Sequence, residues 1–353
     1  MATYVYPENF ELDHIEADLI APMRAQRLGL TLFPEQTTGA AEVRWDQMDN
    51  DFGLMQFRGY NNDPAHVQRL GQNTFVYQPG VYGEMIPVNE DELTRRAAST
   101  GNPAPIQIGD LIMSCDLQLT GRQFTRMEWL CWQAMQGTVQ VQMQGPQGLY
   151  NGYSDTYTTQ TYSAATPWAT TATATPILDM QNVQQKSVGH SVNMGAGAKA
   201  YMNQVTANNM INNSNSADLG GRRSSFGATL NNVPDVANYF GSQNLPVPVV
   251  YDAGYQTIPL NGVNTAVSTY NFAKFIGNAT VIFAGARMSG APLGKFYYTR
   301  DASGFSGPRR YIHNTVNGAD GLPAKMNGQI TVSRGFNGGP GVHFPFSIVI
   351  GTM

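Results

Sequence analysis

The sequence predicts an α+β chain, on three observations. A helical apolar period is sustained from about Ile106 to Gln136. A β-branched and aromatic stretch with Gly and Pro punctuation precedes it, and a strictly alternating hairpin pattern follows it directly. Beyond residue 177, short strand and helix patterns mix without a repeat of fixed period.

In order, residues 1–45 read as an N-terminal arm, with one short helical pattern broken by Pro22 and ended by Pro34. Residues 46–88 read as an extended two-stranded β excursion. Its run NTFVYQPGVYGEMIPV has Pro79-Gly80 as the turn signal. Asn89 and Glu92 form a capping box with Val88 and Leu93 as the staple, predicting a short helix that stops near Gly101-Asn102-Pro103. The long helix, about 106–136, sets Ile108, Ile112, Cys115, Leu119, Met127, Cys131, Ala134 and Met135 at three- and four-residue spacing. Gly109 and Gly121 each weaken it by about 1 kcal/mol against Ala, and Gly137 marks its end. A rod of about 45 Å needs a sheet or a neighbouring subunit to lie on. TVQVQMQ then puts Val139, Val141 and Met143 on one face, GPQG turns the chain, and LYNGY begins the return strand. Residues 156–175, rich in Thr and Ala, read as loop.

From 177, MGAGAKAYMNQVTANNMINN predicts a helix entered from a glycine-rich turn, and VPDVANYF predicts another. PVPVVYDAGYQTI, NATVIFAG and KFYYT predict strands. The last segment, QITVSRGFNGGPGVHFPFSIVIGTM, predicts two strands separated by a glycine-rich turn. The second of these, at Ser347 to Ile350, is apolar enough for a sheet centre.

Composition narrows the function classes. Charged residues are only 13%, and 28 Asn with 24 Gln outnumber all 46 charged side chains. Hydrogen-bonded amides are buried at lower cost than bare charges, which suits a protein that hides much of its surface in an assembly. Apolar content of 42% supports a sizeable core. Residues 1–130 carry net −9 and residues 131–353 net +5, without a basic run of five, so no nucleic-acid-binding arm is expected. No apolar run of 18 residues predicts a membrane span, and the first twenty residues lack a secretory pattern. Cys115 and Cys131 share the long helix, about 24 Å apart by helical rise, too far for a disulfide. They are expected to be reduced core residues.

No catalytic constellation emerges. His14, His66, His190, His313 and His343 have no paired-ligand spacing. There is no G-x-S-x-G elbow. Gly290 to Phe296 is one residue short of a phosphate-binding loop and puts Phe296 where a hydroxyl is needed. Asp46, Asp49 and Asp51 beside Trp45 lack the period and closing Glu of a calcium loop. No enzyme, cofactor or metal site is expected.

The order of elements, with several residue patterns, resembles the tailed-phage major capsid fold (Hong Kong ninety-seven type), and within it the lambda-type capsid protein E family. Arg122-Gln-Phe-Thr-Arg126-Met-Glu-Trp129-Leu-Cys-Trp132-Gln-Ala-Met135, followed by Gly137-Thr-Val139, is similar to the end of the family's spine helix and its next strand. Trp168, Pro176 and Asp179-Met180 resemble the entry to its axial region, and Ala200-Tyr-Met-Asn203 its next element. Val249-Val250-Tyr251-Asp252-Ala-Gly-Tyr255, then Phe275-Ile276-Gly-Asn278-Ala-Thr280-Val281, resemble a strand ending in a tyrosine turn and the strand after it.

The resemblance implies the following organisation: an arm (1–45), an extended β loop (46–88), a peripheral domain with the spine helix and hairpin (89–176), a mixed α/β axial domain (177–300), and C-terminal strands returning to the peripheral domain (301–353). It implies a structural protein that forms hexamers and pentamers of an icosahedral head around double-stranded DNA, without sequence-specific contacts. Separate scaffolding, portal and decoration proteins are possible partners, and no membrane is involved. Its place would be the virion capsid, assembled in the host bacterial cytoplasm. Phe75, Tyr77, Tyr82 and Met85 in the loop, and Trp129 and Trp132 at the helix end, are the candidate inter-subunit contacts. For each aromatic, the chain's own core is the alternative. Some relatives cross-link through a loop lysine, but here the first lysine is Lys186, so non-covalent assembly is expected. An encapsulin-like nanocompartment shell and a soluble α/β enzyme or carbohydrate-binding protein are the other readings.

Overall fold

The computed structural model describes residues 20–47, 54, 55, 57, 58, 60, 63, 73–88, 108–144, 150–190, 192–213, 233–257, 271–287, 292–300, 306–314 and 330–353. The capped helix expected after Asn89 lies outside them.

Helices α1 (Ala21–Ala25) and α2 (Leu28–Leu32) begin the described chain. Strand β1 (Glu35–Thr37) follows and pairs in parallel with β15 (Gly294–Tyr298). Leu30, Phe33 and Val43 are buried in the main core. Residues 20–45 therefore form a strap on the chain's own body. Its apolar residues find an intramolecular face, with Arg24 paired to Glu35 at 2.9 Å closing it.

Strands β2 (Val43–Gln47) and β3 (Asn73–Tyr77) pair antiparallel. Strand β4 (Val81–Val88) pairs instead with β17 (Ile330–Val342). Pro79-Gly80 thus separates two ladders rather than turning one hairpin. Pro79 bridges to Val141 of β5 (Thr138–Gln144), which pairs with β6 (Tyr150–Thr156) as the expected hairpin.

The long helix α3 (Ile108–Met135) follows the predicted period closely. Met127, Leu130, Cys131, Trp132, Ala134 and Met135 face the core, where Phe296, Tyr298, Phe336 and Val342 come from the sheet. Cys115 and Cys131 are buried and form no disulfide. Gly137 ends the helix at φ +81°, where a side chain would be strained and would press on the Tyr157 carbonyl at 3.1 Å. One buried ion pair pins helix to sheet: Arg334 donates to both Asp116 oxygens, at 2.7 and 3.1 Å.

The first sheet runs β1–β15–β17–β16, with β4 also on β17 and β16 spanning Arg309–Asn314. Strand β17 continues straight through GFNGGPG, where a turn was expected. Its glycines serve close approach rather than turning. A Cβ at Gly335 would lie 2.5 Å from the Tyr82 carbonyl, and one at Gly341 would lie 2.9 Å from the Tyr297 ring. One at Gly339 would run into the Tyr77 hydroxyl.

The second sheet runs β10–β9–β13–β18–β7. These strands are β7 (Gln160–Ser163), β9 (Lys199–Met202), β10 (Val247–Val250), β13 (Thr280–Ala284) and β18 (Ile348–Thr352). Strand β18 sits between β13 and β7, the central place expected for its apolar run. Helices α4 (Pro176–Lys186), α5 (Gln204–Ile211) and α6 (Val233–Ser242) pack with it over a second core that includes Met180, Met202, Met210 and Phe240. Asp179 is buried there and accepts from Tyr162 and Trp168, at 2.6 and 2.8 Å.

Three expectations change. The Thr/Ala-rich stretch contains β7. KAYM is strand β9, with Asn203 capping α5 by accepting from the Thr206 amide at 2.8 Å. Strands distant in sequence also share sheets: β7 and β18 lie in the second sheet, while β15 lies in the first with β1.

Candidate assembly surface

The β2–β3 ladder is a firm base. Trp45 lies 4.7 Å from Phe75 and 5.5 Å from Tyr77 between ring centroids, and the Tyr77 hydroxyl donates to the Pro340 carbonyl at 2.9 Å. Beyond this base, Leu54, Met55, Phe57 and Tyr60 are 95, 98, 100 and 105% exposed. Burying each such side chain is worth about 1.5–3 kcal/mol.

A groove of about 450 Å³ runs along the outer face of α3, bordered by Arg27, Glu84, Arg122, Arg126, Trp129 and Phe272. Phe272 comes from strand β12 (Asn271–Lys274), which pairs with β11 (Gly254–Thr257). The Arg126 guanidinium lies over the Tyr82 ring at 4.7 Å and the Trp129 ring at 4.5 Å, a cation–π sandwich. One turn earlier Arg122 pairs bidentately with Glu84 of β4, one arm at 2.7 Å. That hydrogen bond draws the Glu84 carboxyl below its ordinary range, against partial desolvation, and raises Arg122. Burial pushes the Tyr82 phenol up, against the opposing pull of Arg126. Three guanidinium groups against one carboxylate leave the groove at net +2.

Beneath it, Glu128 is fully buried. Its Oε1 accepts from the Gly29 amide (2.8 Å), Trp132 Nε1 (2.8 Å) and the Tyr251 hydroxyl (2.6 Å), and its Oε2 accepts from the Leu30 amide (3.1 Å). Buried polar groups must be paired in this way. One carboxylate therefore ties the strap, the long helix and the axial tyrosine turn together. Gly29 is needed for the approach, since a Cβ there would lie 2.8 Å from Glu128 Oε2. Burial and then the Glu128 charge push the Tyr251 phenol up.

The six expected contact residues divide. Tyr77 and Trp132 belong to the chain's own core, Trp132 stacked on Tyr251 at 5.2 Å, and so are not open contact side chains. Phe75, Tyr82 and Trp129 are half-buried, and Met85 is 70% exposed. Among the described residues the most exposed large apolar side chains, Leu54, Met55, Phe57 and Tyr60, were not among the candidates. Their signal is the glycine-bounded run FGLMQFRGY, apolar yet without strand alternation. Among the described residues no group of three or more His, Cys, Asp or Glu is placed to hold a metal, and no helix is long and apolar enough to cross a membrane.

The family model for phage major capsid protein E matches residues 20–266. No curated protein sequence matches the chain. Among solved structures, a phage-related protein from Bordetella bronchiseptica RB50 shares the fold at TM-score 0.52 and 12% identity, over 94% of this chain and 96% of that one. The capsid of cyanophage P-SCSP1u aligns at TM-score 0.46 and 10% identity, over 91% and 86%. The capsid of Myoviridae phage XM1 aligns at 0.45 and 10%, over 93% and 91%.

Proposed function

Because this chain belongs to the phage major capsid protein E family, and is thus a structural protein of the capsid rather than an enzyme, we propose that its copies close a head by laying the loop of one subunit over the α3 groove of the next. The exposed tip Leu54, Met55, Phe57 and Tyr60 carries this reading. Burying four such side chains is worth roughly 6–12 kcal/mol before association costs, enough to drive a multi-contact shell. In the sequence Asp49 and Asp51 precede this run and Asp63 follows it, against one cation, Arg58, within it, so the segment is acidic overall where the groove is basic. Phe75, Tyr82, Met85 and Trp129 then form the rim of the contact.

The copies form hexamers and pentamers by head-to-tail contacts. The peripheral and axial units keep the roles that the resemblance implies. The head encloses double-stranded DNA without gripping it, since tight binding needs several phosphate-neutralising cations and the chain is net −4. Assembly takes place in the host bacterial cytoplasm, with any scaffolding, portal and decoration proteins as separate chains. It is non-covalent, because residues 46–88 hold no lysine.

The test is sedimentation of the wild-type chain beside a Leu54→Ser/Phe57→Ser/Tyr60→Ser variant. Wild type should give megadalton particles, and the variant folded subunits of unchanged thermal stability. Particles from the variant at wild-type yield would refute the loop contact. Purified heads should dissolve to a single monomer band on a denaturing gel, and a ladder of cross-linked species would refute non-covalent assembly.

A further inference from the structure

Helices α4, α5 and α6 form the outer layer of the second sheet. Its strands alternate: Ala200, Phe283 and Val349 face the core that these helices close, while Tyr201, Ile282 and Ile348 face the core around α3. The helices insert Met180, Val183, Ala207, Met210, Val236 and Phe240 into their core, so their opposite sides look outward. Gln184 of α4 donates to the Asn244 carbonyl just past α6 at 3.0 Å, which ties the layer together. The outward side carries almost no charge. Helices of 11, 8 and 10 residues hold three charged side chains, Asp179, Lys186 and Asp235, where about seven would be usual. Asp179 is buried, which leaves one cation and one anion. Gln181, Gln185, Asn212, Asn238 and Gln243, on the helices or just past them, are exposed instead and bond to no other described residue. Leu178, Val188 and Val205 stand on the same layer at 52, 70 and 44% exposure.

We infer that this helical layer is a contact face for a second copy of this chain, joined amide to amide with the three apolar side chains filling between. It rests on the shell reading and adds to the loop contact a second one of different chemistry. An amide both donates and accepts, so a field of amides complements another surface of its own kind. It has little charge with which to select a charged partner. The chain is itself such a surface, with 28 Asn and 24 Gln against 46 charged residues. The one cation and one anion cancel, so two copies approach without net repulsion. Three helices about 15 Å long and 10 Å wide present roughly 450 Å². That is about half of the roughly 800 Å² each partner gives to a standard interface. The face therefore holds a neighbour only alongside other contacts, as in a shell.

Single thiols placed on the layer supply the readout, because the native Cys115 and Cys131 are buried. Gln181→Cys, Gln185→Cys and Asn238→Cys are each made in the full chain and labelled with a maleimide, as free subunits and after assembly. Labelling should be at least about tenfold slower in the assembled state as the neighbour excludes solvent. A Gln181→Glu/Gln185→Glu/Asn238→Asp variant should fold with unchanged circular dichroism, since its exposed positions tolerate the exchange. It should need at least about tenfold more protein to assemble, because the added charges are unpaired at the contact. Equal labelling in both states, or assembly of the charged variant at the wild-type concentration, would overturn the proposal. Particles whose thiols stay open would sink this face and leave the loop contact standing. Slowed labelling in an oligomer that never becomes a particle would keep the face and sink the shell. A chain that stays monomeric at every concentration would end both.

Discussion

Glutamine at position 128 is nearly isosteric with the glutamate it would replace, yet it cannot serve the same four donors. With its carbonyl oxygen at the Oε1 position it would keep Gly29, Trp132 and Tyr251. Its NH2 group would then face the Leu30 amide, which now donates to Oε2 at 3.1 Å. One buried backbone donor is orphaned, at about 1–3 kcal/mol. The three retained hydrogen bonds lose their charge assistance, roughly half their strength. Relief from burying a charge offsets part of this, leaving a net loss of about 3 kcal/mol. For a chain of 353 residues the unfolding entropy is about 0.7 kcal/mol/K, so Tm should fall by about 4 °C. The loss is also local: exchange of the Leu30 amide should accelerate roughly 100-fold, since its only acceptor lies on α3. Calorimetry and hydrogen exchange on the unassembled Glu128→Gln subunit measure both. A Tm within one degree of wild type, with Leu30 exchange unchanged, would refute the view that this carboxylate holds the strap.

Arg334→Ala should cost about 3–5 kcal/mol by stranding the buried Asp116 carboxylate. The Arg334→Leu/Asp116→Leu double variant should recover much of that loss in a urea titration, whereas simple additivity would argue against a coupled pair. Gly339→Ala should destabilise by about 1–3 kcal/mol, because its methyl group collides with the Tyr77 hydroxyl. Combining it with Tyr77→Phe, which removes that hydroxyl, should give less than the summed losses. Alkaline titration should also separate the phenols. Burial raises Tyr77, Tyr157, Tyr251 and Tyr298 well above the ordinary value of 10.0, and Tyr201 to about 12. The unfolded chain therefore sheds these protons first, so stability is full below about pH 10 and falls as pH climbs toward the folded values. Phenolate absorbance of these residues should appear together with loss of near-ultraviolet circular dichroism. Their titration near pH 10 with the fold intact would contradict the burial.

What was legible in the sequence is what local spacing encodes. The long helix was placed within two residues at its start and one at its end, because Ile112, Cys115, Leu119 and Met127 repeat with the helical period whatever lies beside them. The hairpin after it and the strands at 280–284 and 294–298 were legible for the same reason. The glycine run at 335–341 was misread because glycine signals both turns and close approach, and only the partners Tyr82, Tyr297 and Tyr77, each distant in sequence, decide between them. The docking of residues 20–45 on the chain's own body was not legible, because it depends on Glu128, about 100 residues away. At the assembly surface the aromatic loop residues drew attention through β-propensity. That same propensity put Tyr77 into the core, while the less regular run that holds Leu54, Met55, Phe57 and Tyr60 leaves those four side chains exposed.

Strands β17 and β18 reach the ribosome exit last among the described elements, yet β17 holds β4, β15 and β16 together and β18 sits mid-sheet between β13 and β7. Until they emerge, each half of the molecule lacks an inner strand and its contacts must wait for partners far apart in the chain, a slow topology. Both sheets of the nascent polypeptide are thus completed only once translation has delivered these late segments.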